Sequence, residues 1–69
     1  PMTLLSVPDM NCGHCKASVT STLSQLKDIG AINVDLTARQ VEVTGTTPQT
    51  AVIAALDQIG FPATLIAAS

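Results

Sequence analysis

Two cysteines, Cys12 and Cys15, lie in the string Met10-Asn11-Cys12-Gly13-His14-Cys15, with only Gly13 and His14 between them. A disulfide between them would close a very small loop. The stabilisation a crosslink brings grows with loop length, so the pair is no scaffold staple. Thiols at this spacing read as a metal site or a redox pair. Thiolates are soft ligands that select Cu(I), Zn and related thiophilic ions, and Gly13 gives the loop freedom to bring both sulfurs onto one ion. Free cysteine is often simply a small buried hydrophobe. Neighbours as polar and loop-forming as Asn11, Gly13 and His14 fit that alternative poorly.

The elements around the string sharpen its chemistry. Thr3 to Val7 is a short β-prone run closed by Pro8-Asp9, and a helical pattern runs from about Gly13 to Lys27. Cys15, Val19, Thr22, Leu23 and Leu26 then share one helical face, and Gly30 is placed to cap the helix. Cys12 falls in the loop and Cys15 in the first helical turn. Unpaired N–H groups and the positive end of the helix dipole favour thiolate over thiol there, and Lys16 adds a positive charge. Lys16 and Lys27, three turns apart on this reading, share a face: a docking surface for an acidic partner, or only the solvated side of an amphipathic helix.

Downstream, Ile32, Val34 and Leu36 alternate with polar residues as a half-buried strand does. Thr37-Ala38-Arg39 reads as a turn, and Val41 and Val43 as a third strand ended by Gly45. Thr47 and Pro48 open a second helix with stripe Val52, Ile53, Leu56 and Ile59, stopped by Gly60. Thr64 to Ile66 is a short last strand, with Ala67-Ala68-Ser69 as a frayed end. Leu23, Leu26, Ile29 and Gly30 recur 30 residues later as Ile53, Leu56, Ile59 and Gly60, which predicts that both helices end in the same register. The order β-α-β-β-α-β predicts an α+β, ferredoxin-like sandwich, a four-stranded antiparallel sheet with two helices on one face, occupying residues 1–69 as a single domain.

Composition narrows the function. The chain of 69 residues is 46% hydrophobic and 12% charged, which excludes a disordered linker. Three basic against five acidic residues and a single aromatic, Phe61, provide neither the basic stripe nor the stacking platforms that nucleic-acid binding needs. The longest uninterrupted apolar run, Ala51 to Leu56, is far short of the ~20 residues that span a bilayer, so no membrane insertion is expected. No secretory signal opens the chain, although Pro1 is compatible with a processed start. A reducing, cytoplasmic setting is expected. His14 is the only histidine. No nucleophile–base pair, paired carboxylates or phosphate-cradling loop is present, and the chain does not read as an enzyme.

These residues resemble the heavy-metal-associated domain, the module of Atx-like and CopZ-like bacterial copper chaperones and of the metal-binding domains of P-type copper ATPases. The resemblance rests on the βαββαβ order, on Met10, Cys12 and Cys15 as a Met-x-Cys-x-x-Cys motif, and on the late pair Gly60-Phe61. It implies a fold of that kind, Cu(I) held by Cys12 and Cys15 in near-linear coordination, and Met10 packed inward as a tether for the loop. It further implies transfer of the ion to a copper-transporting P-type ATPase or its metal-binding domain, unless the chain is itself such a domain. Zinc-selective relatives carry Asp immediately before the first cysteine; Asn11 stands there in this chain, with Asp9 further upstream. A neutral amide offers Zn²⁺ no hard third ligand, which favours Cu(I) over Zn²⁺; a carrier of another thiophilic ion, Zn or Hg, is the alternative.

Cys-Gly-His-Cys-Lys is also the active-site string of protein disulfide isomerases. There the motif lies deeper in a thioredoxin fold and follows Trp, and 69 residues leave no room for that fold. Dithiol–disulfide exchange is therefore the weaker reading. His14, held between two ligands, points away from an ion that both of them bind, and reads as a solvated loop residue or as a contact to a neighbouring chain's site. Phe61 packs over the metal loop, fills the core, or does both. With two thiolates per chain, Cu(I) stays open to further ligands, and a metal-bridged homodimer is expected at high concentration.

Overall fold

The computed structural model describes residues 2–69. Its elements run β1 (Met2–Ser6), α1 (Gly13–Ser24), β2 (Ile29–Asp35), β3 (Gln40–Gly45), α2 (Gln49–Gln58) and β4 (Thr64–Ala68). The strands form one sheet in the order β2-β3-β1-β4 with every adjacent pair antiparallel. β3 lies between β1 and β2, which makes this the split, ferredoxin-like form of the βαβ unit anticipated from the element order.

Strand alternation decides which face is covered. Leu5 pairs with Val41, Val34 with Val41 and Ile32 with Val43. Leu5 and Val41 are fully buried and Val43 nearly so. Residues of opposite parity, among them Asn33, Asp35, Gln40 and Glu42, line the other, open face with Leu4. Each helix adds two buried residues four apart, Val19 and Leu23 from α1 and Val52 and Leu56 from α2, which is the spacing that places side chains one above the other on a helix. Val7 and Met10 complete the nine-residue core. Each fully buried side chain of this size contributes about 1.5–3 kcal/mol, so few of them can be lost.

The structure corrects four expectations. First, α1 ends at Ser24 and not at Lys27. Gln25 and Leu26 donate instead to Thr22 and Leu23 in tightened last-turn bonds of 3.3 and 3.1 Å. Asp28, at φ 66°, then turns the chain into β2. Lys27 therefore shares no helical face with Lys16. Second, Gly30 caps nothing: it lies within β2 beside an irregularity in the ladder between Ile29 and Ile32. A Cβ there would meet the Thr44 hydroxyl at 2.7 Å, and that hydroxyl accepts a hydrogen bond from the Ala31 N–H at 2.8 Å. The 30-residue echo consequently has no structural counterpart, because Leu26 and Ile29 lie beyond their helix whereas Leu56 is buried within its own.

Third, Thr47 does not cap α2. Pro48 occupies the cap position without a side-chain bond, and the Thr47 hydroxyl donates to the Lys27 carbonyl at 2.7 Å, tying the two connections together. Fourth, the C-terminal end is paired. β4 continues through Ala68, and Ser69 and Met2 exchange two hydrogen bonds of 2.8 Å; the free edge of β1 engages this backbone whatever its side chains. Gly60 does stop α2. At φ 85° it donates to Asp57 while Phe61 donates to Leu56, the double bond pattern of a Schellman cap.

Two glycines with positive φ should respond differently to a methyl group. At Gly45, φ 108°, an added Cβ would lie 2.4 Å from the Asp28 carbonyl oxygen, whereas at Gly60 nothing lies within 4 Å. Urea unfolding of Gly45→Ala should show a loss of about 2–4 kcal/mol, against about 1 kcal/mol for Gly60→Ala. Equal losses would contradict the close approach of β3 to the start of β2.

Candidate metal centre

The loop that carries the cysteines is fixed at its base. Beyond β1, Val7 is buried and its N–H donates to the Arg39 carbonyl at 2.8 Å, one step past the β1–β3 ladder. The Met10 N–H returns to the Val7 carbonyl at 3.0 Å, closing a β-turn with Pro8 at its second position, where proline's fixed φ fits. The Arg39 guanidinium donates to the Pro8 carbonyl at 3.2 Å. Met10 follows with its side chain wholly within the core. Thereafter the chain emerges: Asn11, Cys12, Gly13 and His14 are all exposed.

Cys12 is the N-cap of α1. Its backbone is extended (φ −150°, ψ 164°), and its sulfur accepts a hydrogen bond from the Cys15 N–H at 3.4 Å. The sulfur thus occupies the place where Ser, Thr or Asp normally offers an oxygen to the third helical residue. The spacing of the pair supplies that geometry, because three positions is the reach from a cap to the N–H it satisfies. The two sulfurs lie 3.0 Å apart and share a hydrogen bond, well beyond the ~2.05 Å of a disulfide; both cysteines are free. The Cys15 thiol, followed by the backbone N–H groups of Cys15 and His14, lowers the Cys12 pKa below the ordinary thiol value. Partial desolvation opposes this but is outweighed by the two Cys15 hydrogen bonds. Cys15 is half-buried and packs on the core. One sulfur faces solvent and the other is backed by protein.

His14 and Lys16 are exposed in the first turn of α1. Phe61 is half-buried against the core and lines an open cleft with Ala17, Ser18, Ser21, Thr22 and Ile59, alongside α1. Among the described residues no cluster of three His, Cys, Asp or Glu side chains is positioned to hold a metal ion, and no helix is long and apolar enough to cross a membrane. Arg39 appears in the sequence only as a turn residue. Its contact with Pro8 joins residues 31 positions apart, and no local pattern signals it.

Fold and site together define a small ferredoxin-like domain with an exposed dithiol at a helix N-terminus. The sequence matches the heavy-metal-associated domain family over residues 4–62, and the chain belongs to that family, as its motif and element order led us to expect. It is 40% identical over 40 residues to the copper chaperone CopZ of Staphylococcus aureus (strain JH9); the match spans 58% of this chain and 59% of that relative. Among solved structures it is similar to a CopZ metallochaperone (27% identity, TM-score 0.88, covering 93% of this chain and 100% of the other). It is also similar to a gold binding protein (28% identity, TM-score 0.87, 93% and 98% covered).

The lowered Cys12 pKa has a direct chemical consequence. In the metal-free, reduced protein, iodoacetamide should modify Cys12 before Cys15, with a pH midpoint below that of an ordinary thiol. Cys15→Ser should move that midpoint upward by weakening the largest cause. The sign for stability follows: the Cys12 contribution is present above the unfolded-state pKa and is lost as pH falls through the folded one. Peptide mapping after partial alkylation reads the order, and preferential labelling of Cys15 would contradict the assignment.

Proposed function

We propose that this domain is a Cu(I) carrier, binding one ion between Cys12 and Cys15 and passing it to a partner dithiol. The observation that carries the reading is the pair of sulfurs at 3.0 Å on the N-terminal turn of α1, one exposed and one packed on the core. Thiolates bind such metals at about 2.3 Å, so opposed sulfurs on one ion stand roughly 4.6 Å apart. The pair therefore has to open by more than an ångström. Cys12, on the exposed side and next to Gly13, is the sulfur free to move. Met10, buried below, acts as the tether of the loop and not as a ligand.

Two ligands without a third suit cargo better than a structural ion. A four-thiolate cage holds its metal too firmly for release, whereas an open two-coordinate ion accepts an incoming thiolate before the first one leaves. The copper chaperone named above, 40% identical over the aligned stretch, supports the choice of copper; Asn11, offering no anionic oxygen, works against Zn²⁺. The gold binding protein among the similar structures agrees with a soft, thiophilic ion generally. The function is binding and transfer, not catalysis. The acceptor proposed is a copper-transporting P-type ATPase or its metal-binding domain, in a cytoplasmic setting; the chain as a metal-binding domain of such an ATPase uses the same chemistry. At high concentration two loaded chains are proposed to share ions through four cysteines, with His14 beside the neighbour's site.

Titrated anaerobically against a Cu(I) chelator, the reduced protein should take up one Cu(I) per chain and bind Zn²⁺ more weakly. Cys12→Ser or Cys15→Ser should each weaken Cu(I) binding by about 100-fold or more, the usual scale for losing one arm of a bidentate contact. Stronger binding of Zn²⁺ than of Cu(I) would overturn the copper reading. Robust disulfide-isomerase turnover that disappears in Cys12→Ser would overturn the carrier reading in favour of redox catalysis.

A further inference from the structure

Among the described residues, Arg39 is the one outside the β1–α1 segment whose side chain is bonded to the base of the cysteine loop. Its carbonyl accepts from the Val7 N–H at 2.8 Å and its guanidinium donates to the Pro8 carbonyl at 3.2 Å. One residue thus holds both sides of the peptide that begins the Val7–Met10 turn. It does so in a left-handed backbone conformation, φ 56°, which an L-residue with a long side chain adopts only at an energetic cost. Glycine would occupy the same turn position without that cost. The turn itself is secured independently by Asp35, whose carboxylate accepts from the Ala38 N–H at 3.1 Å, so closing the hairpin does not require a guanidinium at position 39. Strain retained where a more comfortable residue is available points to what the side chain does beyond the turn.

We propose that Arg39 is a positioning residue for the metal loop. Its bond to Pro8 restrains the turn from which Met10 descends into the core and Cys12 is carried to the head of α1. The side chain touches neither sulfur and acts through Val7, Pro8 and the Met10 N–H···Val7 bond. The consequence for transfer is rigidity at the root of the loop, with freedom left at Cys12 and Gly13. The effect on the ion rests on the Cu(I) reading above; the effect on the turn does not.

The test compares Arg39→Gly, Arg39→Met and Arg39→Lys in the full chain. Arg39→Gly relieves the left-handed strain, so its unfolding midpoint should equal or exceed the wild-type value and its loop can be examined in a folded protein. In metal-free protein, amide hydrogen exchange at Met10 should accelerate about 3- to 10-fold in Arg39→Gly and Arg39→Met, the equivalent of one net hydrogen bond, with exchange at Leu5 and Val41 unchanged. Loss of Cu(I) to a chelator should accelerate by a similar factor. Arg39→Lys, which keeps an N–H donor on a long stem, should recover at least half of the Met10 protection; a residue acting only through turn strain would show no such recovery. Wild-type exchange at Met10 in Arg39→Gly and Arg39→Met would overturn the proposal. So would faster exchange with unchanged Cu(I) loss, or no recovery in Arg39→Lys. A wild-type protein that takes up no Cu(I) would count against the carrier reading alone, because the exchange measurement decides the positioning role without metal.

Discussion

The burial of Met10 couples the chemistry of this domain to its stability. Four exposed residues, Asn11 to His14, directly follow a side chain with no solvent exposure at all. The unbranched thioether is buried in one cluster with Val7 and the buried residues of both helices, a setting methionine suits because its three rotatable bonds adapt to the space available. The loop is consequently suspended between two fixed points, the buried Met10 and the first turn of α1. Little chain remains between them in which the cysteines can wander. With nine buried core side chains among the described residues, the domain has few other places from which to hold the loop.

At the other fixed point a sulfur replaces the oxygen that usually caps a helix. On the Cu(I)-carrier proposal, both uses of the atom favour the same charge state. A helix N-terminus has N–H groups without partners and carries a partial positive charge, and a thiolate satisfies both. When two thiolates hold a monovalent ion, the assembly keeps one net negative charge. That charge stays at the head of α1, with Lys16 exposed in the same turn. On the carrier proposal the helix dipole stabilises the free and the loaded anion alike, even though Cys12 has to shift from its present cap position as the sulfurs open. Selectivity between the two states then comes from the ion's own bonds to sulfur and not from the protein field.

What the sequence made legible and what it hid divide along the range of the interactions concerned. The cysteine spacing, the alternation of Ile32 with Val34 and of Val41 with Val43, the positions Val52, Ile53 and Leu56 and the Gly60 stop are all local, and each is found where its pattern places it; Ile59, expected to complete the stripe, lies past the end of α2 and is exposed, and Leu36 lies just past β2. The expectations that failed concern residues whose partners are distant in the chain. Gly30 resembles a helix cap until Thr44 is seen packed against it. Thr47 has the right chemistry for a cap, yet its hydroxyl bonds to Lys27 instead. Ala67 and Ala68 carry no strand signal of their own and are recruited by the free edge of β1. The apparent 30-residue repeat aligns residues with different roles: Leu26 follows α1, whereas Leu56 is buried within α2. Arg39 belongs to the same class, because its bond to Pro8 exists only once β1 and the β2–β3 hairpin are side by side.

The two ends of the sheet meet opposite demands. At the end away from the cysteines the backbone is closed tightly: Gly45 lies so near Asp28 and Gly30 that no side chain fits, Thr46 donates to the Asp28 carbonyl, and Thr47 ties down Lys27. At the cysteine end the restraint stops at Met10, and the space around Gly13 is open. A domain that only stored a metal would gain by closing that end as well, adding ligands and burying the site. A domain that hands its cargo on needs the incoming sulfur to reach the ion and the outgoing one to leave. For the proposed carrier, rigidity is therefore useful up to the root of the loop and harmful beyond it. The boundary between the two regimes falls between Met10, fully buried, and Cys12, exposed, with Asn11 alone between them.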